Sequence, residues 1–242
     1  MILSDLFRIL LWQPLFNLLI LFYLYLPGND FGMAIVALTI LIRLLLWPWQ
    51  KKATHSQLVL QKIQPKIKEL QKKYKNDREK LGKEFLKLTR SQKVNPLSGT
   101  LITFLQLPIL IALYRVFWRG LSEESFQYLY PFIKRPEVLD PSFLGLIDLS
   151  QPNIILAILL GIVLFLQQRS LMPRQKTGKG FANLFQTQML YFMPAFMALL
   201  FLKLPSALAL YLIVSSIFGI LQQKIVKKEL AKYEKRRDKK TN

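Results

Sequence analysis

Phe31-Gly-Met-Ala-Ile-Val-Ala-Leu-Thr-Ile-Leu-Ile-Arg-Leu-Leu-Leu-Trp-Pro-Trp49 is an apolar run long enough to cross a bilayer as a helix, and Arg43 is its only charge. Placing a guanidinium at that depth costs about 2.5–3.5 kcal/mol on insertion scales, and far more against lipid tails, so Arg43 should face protein or water. The other long apolar runs, Leu97–Trp118, Asn153–Gln168, Phe185–Leu202 and Ser206–Gln223, contain no Asp or Glu. Arg43 therefore has no intramembrane carboxylate to pair with. Polar neighbours, water or a passing substrate must satisfy its donors, which implies a wet cavity within the membrane region.

Around this run the composition decides the class. The chain has 242 residues, 52% of them hydrophobic, and the apolar residues come in blocks instead of short periodic stretches. A formal charge of +20 is concentrated in Lys51–Lys93, Arg169–Lys179 and Lys224–Lys240. Short basic loops stay on the cytoplasmic side, and these segments alternate with the apolar runs in the order that rule requires. The expected fold is an all-α polytopic membrane protein with transmembrane helices over 29–50, 96–118, 153–168, 183–203 and 205–224. The outer loop is 119–152, the cytoplasmic loop 169–182, and the basic cytoplasmic tail 225–242.

Residues 1–28 allow two readings. Ile9–Leu26 is apolar enough for a signal anchor or a further span, whereas Pro14, Asp5, Arg8, Gln13 and Asn17 suit an amphipathic helix in the outer interface. The interfacial helix is the preferred one. With no cysteine there is no disulfide, thiolate metal site or lipid-modified cysteine, and the single histidine, His55, sits among lysines. No metal or cofactor is expected. The chain also has no nucleophile–base pair or phosphate loop, so an enzyme is not expected.

The segment 51–95 is a separate cytoplasmic module. Leu60, Ile63, Ile67, Leu70 and Tyr74 form a narrow helical seam, and Leu81, Phe85 and Leu88 repeat its spacing after the turn-like Lys75-Asn76-Asp77. Two antiparallel helices packed along these stripes would form a hairpin with lysines outside. A break near Gln64 would let the first membrane helix run on to about Ile63, with Pro65 opening the hairpin.

Taken in order, these features resemble the YidC insertase family, bacterial relatives of the mitochondrial and chloroplast oxidase-assembly insertases. The carriers are Gln13-Pro14-Leu15-Phe16, Thr39, Arg43 and Pro48, Gln64-Pro65-Lys66-Ile67 and Lys93-Val94-Asn95-Pro96-Leu97, followed by Gln106-Leu107-Pro108-Ile109, Asp148-Leu149-Ser150, and Pro205-Ser206 leading to Leu210-Tyr211. The resemblance implies a five-helix core around a hydrophilic groove, open to the cytoplasm and lipid and closed outside, with Arg43 and Thr39 as groove residues. Gln106 and Tyr211 are further candidates. It also implies that the hairpin, through Pro65, Lys66, Leu70, Tyr74, Leu81 and Phe85, recruits nascent membrane proteins, and that a basic tail carrying Lys227, Lys228, Lys235, Arg236 and Arg237 touches the ribosome. The chain departs from the family pattern in lacking a large periplasmic domain and a lipoprotein cysteine, and in having Leu212 where many relatives carry a second tyrosine.

The expected function is therefore insertion of membrane proteins into the bacterial cytoplasmic membrane, with the C-terminus inside. A single copy suffices, and the secretion channel and anionic lipids are candidate partners. Each assignment has a plainer counterpart. Arg43 could be a structural arginine bonded to backbone or to Gln106, Gln186 or Gln188; Thr39 could bond its own helix; Tyr211 could be packing; and the lysines could be solvated topology signals. A small anion transporter or channel is the alternative function, though no inverted repeat or acidic relay accompanies it.

Overall fold

A computed structural model describes the backbone of residues 2–119, 123–171 and 181–241, with side chains described there except at 2–4, 99–103, 105, 119, 123, 171, 181–187, 189 and 233–241. α1 (Ile2–Phe7) passes through a π turn, Arg8–Trp12, into α2 (Gln13–Tyr25). α3 (Phe31–Leu45) and α4 (Trp47–Lys62) follow, then α5 (Gln64–Lys73) and α6 (Arg78–Ser91). α7 (Ser98–Arg119), α8 (Ile154–Leu171), α9 (Phe181–Phe201) and α10 (Ser206–Thr241) complete the helices, and one short ribbon, β1 (Ser142–Phe143) with β2 (Ile147–Asp148), lies between α7 and α8.

Local chemistry sets the boundaries. Asp30 caps α3, its Oδ1 accepting the Met33 amide at 2.7 Å, while its Oδ2 accepts the Leu144 amide and so ties the ribbon to the helix start. Between α3 and α4 the axis bends by 67°. The straight run expected as far as Ile63 is thus broken at Leu46, because Pro48 has no N–H for the Leu44 carbonyl and its ring crowds that turn. Pro65 stands in the first turn of α5, and Asp77 caps α6 through the Lys80 amide at 2.9 Å.

The core is a single apolar cluster in which Phe16, Leu19, Ile20, Phe31, Leu113 and Leu160 are fully buried. It draws on α2, α3, α7, α8 and α10. α8 also shows a second stripe, Ile154, Ile155, Ile158, Ile162 and Leu166, that remains exposed at helical spacing. Soluble proteins rarely expose apolar surface on this scale, whereas a bilayer is the solvent such a face requires. Among the described residues, Asp5–Tyr25 and Ser206–Lys232 are long and apolar enough to cross a membrane, as is the bent α3–α4 pair taken as one span; Gln106–Trp118, Ile154–Ser170 and Leu190–Phe201 are shorter apolar helices.

Two features differ from the sequence expectation in detail. α2 packs into the core through Phe16, Leu19 and Ile20, and is held more deeply than a helix that only rests on a surface. The segment 225–241 is not a detached tail, because α10 continues without a break from Ser206 to Thr241. No proline interrupts α10, and Val226 and Leu230 pack with Leu58, Val59 and Val94 in a second small cluster. Lys51 and Glu229 pair at 2.8 Å beside it. That exposed pair contributes less than about 1 kcal/mol, so the apolar contacts hold α10 against α4.

The described segment between α7 and α8, residues 123–153, is fastened to the N-terminal helices from Arg8 to Tyr23. Arg8 lies over the Tyr128 ring, Asn17 bonds to Tyr128 and Tyr130, and the Tyr23 hydroxyl accepts the Asp140 amide at 3.1 Å. At the neighbouring helix start, Gly32 meets the Phe143 ring so closely that an added Cβ would sit 2.1 Å from it and 2.6 Å from the Phe143 Cβ. Gly32→Val is expected to cost about 1–3 kcal/mol, because β1 as well as the ring must move. Chemical unfolding in detergent micelles measures it, and unchanged stability would contradict this packing.

Candidate functional site

Arg43 lies near the end of α3, half-buried, on the side packed against α10. Its Nε donates to Ser215 Oγ at 2.7 Å, its Nη2 donates to the same oxygen, and its Nη1 donates to Gln50 Oε1 at 3.1 Å. A guanidinium carries five N–H donors, so these three bonds leave two without a protein acceptor among the described residues. No carboxylate pairs with Arg43 among the described residues. Its full positive charge is therefore held by neutral dipoles.

The partners are not the glutamines considered from sequence. Gln106 is half-buried on α7 and Gln188 is exposed, and neither makes a hydrogen bond with Arg43; the Gln186 side chain lies outside the described residues. Ser215 and Gln50 take their place, and both are buried. Ser215 follows Tyr211 by one turn of α10, which puts both on one face of that helix. Tyr211 is itself buried. A Ser215-Ser216 pair inside an apolar span was the available sequence signal for the first partner. Gln50 gave none, because it lies beyond the tryptophan belt and reaches Arg43 only through the bend.

Thr39 is buried one turn before Arg43, and its hydroxyl donates to the Ile35 carbonyl at 2.6 Å. That bond satisfies the side chain within its own helix. Just beyond the site, Gln222 Nε2 donates to the Trp47 carbonyl at 3.3 Å, and Trp47 meets Phe218 edge-on at 5.6 Å, so α10 braces the bend.

The hairpin residues stand apart from this site. Pro65 and Lys66 are exposed, while Leu70, Tyr74, Leu81 and Phe85 are half-buried between α5 and α6. Of the tail residues, Lys227 donates to the Ser170 carbonyl in the last turn of α8, a favourable place for a cation, and Lys228 is exposed. Lys235, Arg236 and Arg237 lie on α10, but their side chains fall outside the described residues.

A helical bundle with an apolar outer stripe and one cation held among neutral polar groups defines an integral membrane protein with an intramembrane polar site. The sequence profile of the 60Kd inner membrane protein family matches residues 22–235. A protein named membrane protein insertase YidC from Syntrophobacter fumaroxidans is 35% identical over 217 residues, covering 87% of this chain and 36% of that protein. Proteins of the same name from Wolinella succinogenes and Buchnera aphidicola are 35% and 34% identical over 90% and 91% of this chain, and 37% of each of them. The chain belongs to this family, the YidC family of the sequence resemblance. It spans little more than a third of the length of those relatives.

Proposed function

We propose that the chain is a membrane protein insertase of the bacterial cytoplasmic membrane, with Arg43 in a cytoplasm-open hydrophilic groove among its membrane helices. The observation that carries this reading is the lone guanidinium, fixed by Ser215 and Gln50 yet keeping two donors for a visitor. Inserting a protein requires a polar outer segment to cross a medium in which an unpaired charge is very costly. A groove that admits water to the inner leaflet shortens the dry part of that path. Arg43 attracts an acidic tail with a few kcal/mol, enough to recruit it and weak enough to release it. The adjoining apolar segment then moves sideways into lipid.

In this reading the α5–α6 hairpin receives nascent chains at the cytoplasmic face, the C-terminus lies inside, and one copy is sufficient. α1–α2 lies in the outer interface, supported by its bonds to a single loop from Arg8 to Tyr23, a distance of about 22 Å along a helix. Energy comes from transfer of the client's apolar segment, its synthesis or the membrane potential. The test is reconstitution of the chain in liposomes with a single-span client bearing an acidic N-terminal tail, read by protease protection of that tail. Protection no better than in protein-free liposomes overturns the reading.

The basic end of α10 is assigned to the ribosome or to anionic lipid, and either contact weakens steeply with salt. Truncation after Lys232 preserves Val226 and Leu230 in their cluster and is expected to reduce co-sedimentation with ribosomes. Undiminished binding leaves the basic end as a topology signal.

A further inference from the structure

Gln50 is 5% exposed and sits in the first turn of α4, just past the bend, facing a group that can only donate. A guanidinium has no acceptor, so the carboxamide atom 3.1 Å from Arg43 Nη1 must be the oxygen. That contact fixes the amide orientation and leaves Nε2 as the end of the amide that Arg43 does not use. The Nε2 atom is buried and has no hydrogen-bond partner, the one side-chain nitrogen or oxygen among the described residues in that condition. Leaving a buried amide donor unpaired is destabilising, and an apolar side chain of the same length would carry no such cost.

From this arrangement we infer that Gln50 is a specificity-determining residue of the site, its Nε2 donating to a carboxylate of the inserting segment alongside Arg43. The inference rests on the proposed insertase function and refines it. Two unused N–H groups remain on Arg43 and two on the Gln50 amide, and the two side chains are already joined by one hydrogen bond, a cation bonded to a neutral donor. A carboxylate, with two oxygens and about four acceptor positions, can use both at once, whereas a neutral carboxamide presents a single acceptor oxygen. The bare charge of Arg43 would attract any anion; the paired donors favour a carboxylate in particular. Nε2 is enclosed in this structure, so engagement by a client oxygen requires a displacement of α4, for which the bend between α3 and α4 is the place.

The test uses the whole chain in liposomes and two clients that differ only by Asp or Asn at one position of the N-terminal tail. The readout is the ratio of Asp-tailed to Asn-tailed insertion, which a merely structural contribution of Gln50 would leave unchanged. Gln50→Glu keeps the length and the oxygen facing Arg43 but replaces the donor with a second acceptor, and Gln50→Met removes both functions. The ratio is expected to fall about tenfold in Gln50→Met and further in Gln50→Glu, as for loss of a hydrogen bond to a charged group. A wild-type ratio in Gln50→Glu overturns the inference, even if Gln50→Met fails to fold. Failure of the wild-type chain to insert either client would instead overturn the insertase reading itself.

Discussion

Replacing Arg43 by alanine is expected to lower insertion of an acidic-tailed client at least tenfold, whereas Arg43→Lys is expected to keep most of it. The two substitutions separate charge from shape. Alanine removes the cation and strands the Ser215 hydroxyl and the Gln50 carboxamide oxygen, both buried acceptors whose only donor among the described residues is Arg43. Lysine keeps the charge but cannot direct two N–H groups to one serine oxygen, so it loses part of the anchoring. In the proposed mechanism the first capture of a moving tail depends on charge before any fixed contact forms, and attraction at a few ångströms is worth a few kcal/mol. A tenfold change corresponds to about 1.4 kcal/mol, well within that range. Equal insertion by the wild type and both variants would remove the electrostatic role of Arg43.

The second large effect lies far from that site. Asn17→Leu is expected to cost about 2–4 kcal/mol of stability and to open the outer loop to protease. Asn17 is 1% exposed and uses both ends of its carboxamide: Nδ2 donates to the Gln13 carbonyl at 2.8 Å and the Tyr128 carbonyl at 3.0 Å, while Oδ1 accepts the Tyr130 amide at 2.7 Å. Leucine fills the space but leaves two loop backbone groups unpaired. Gln13, which also donates to the Tyr128 carbonyl at 3.0 Å, offsets only one of them. Unfolding in micelles and limited proteolysis between 124 and 140 measure the change. A stable, protease-resistant Asn17→Leu protein would show that the loop is held by its aromatic contacts instead, such as Trp12 against Tyr128.

Legibility from sequence varied with how local the cause was. Asp77 and Pro65 act on the helix turns that contain them, so the hairpin could be read from spacing and turn residues. The lone charge at Arg43 was equally legible, since it depends only on which residues share its apolar run and on the lack of acids in the others. Its partners were not. Ser215 is 172 positions away, and nothing in a linear pattern specifies how α3 and α10 rotate against one another. Gln50 is only seven positions away, yet a straight helix would have carried it two turns beyond the guanidinium; the 67° bend brings it back. The basic segment at the C-terminus read as a solvated tail because its charges hide the spacing of Val226 and Leu230.

What the sequence determined by itself was the solvent of each segment, because transfer free energy depends on side-chain type and sums along a run without reference to distant partners. That was enough for a membrane protein, its basic segments and the isolation of one arginine. Tertiary structure alone decided which neutral groups hold that arginine and which of its neighbours is left with a donor to spare. Hydrogen bonds are directional and short, so they follow from how helices rotate and bend against one another, and packing across the whole bundle sets those angles.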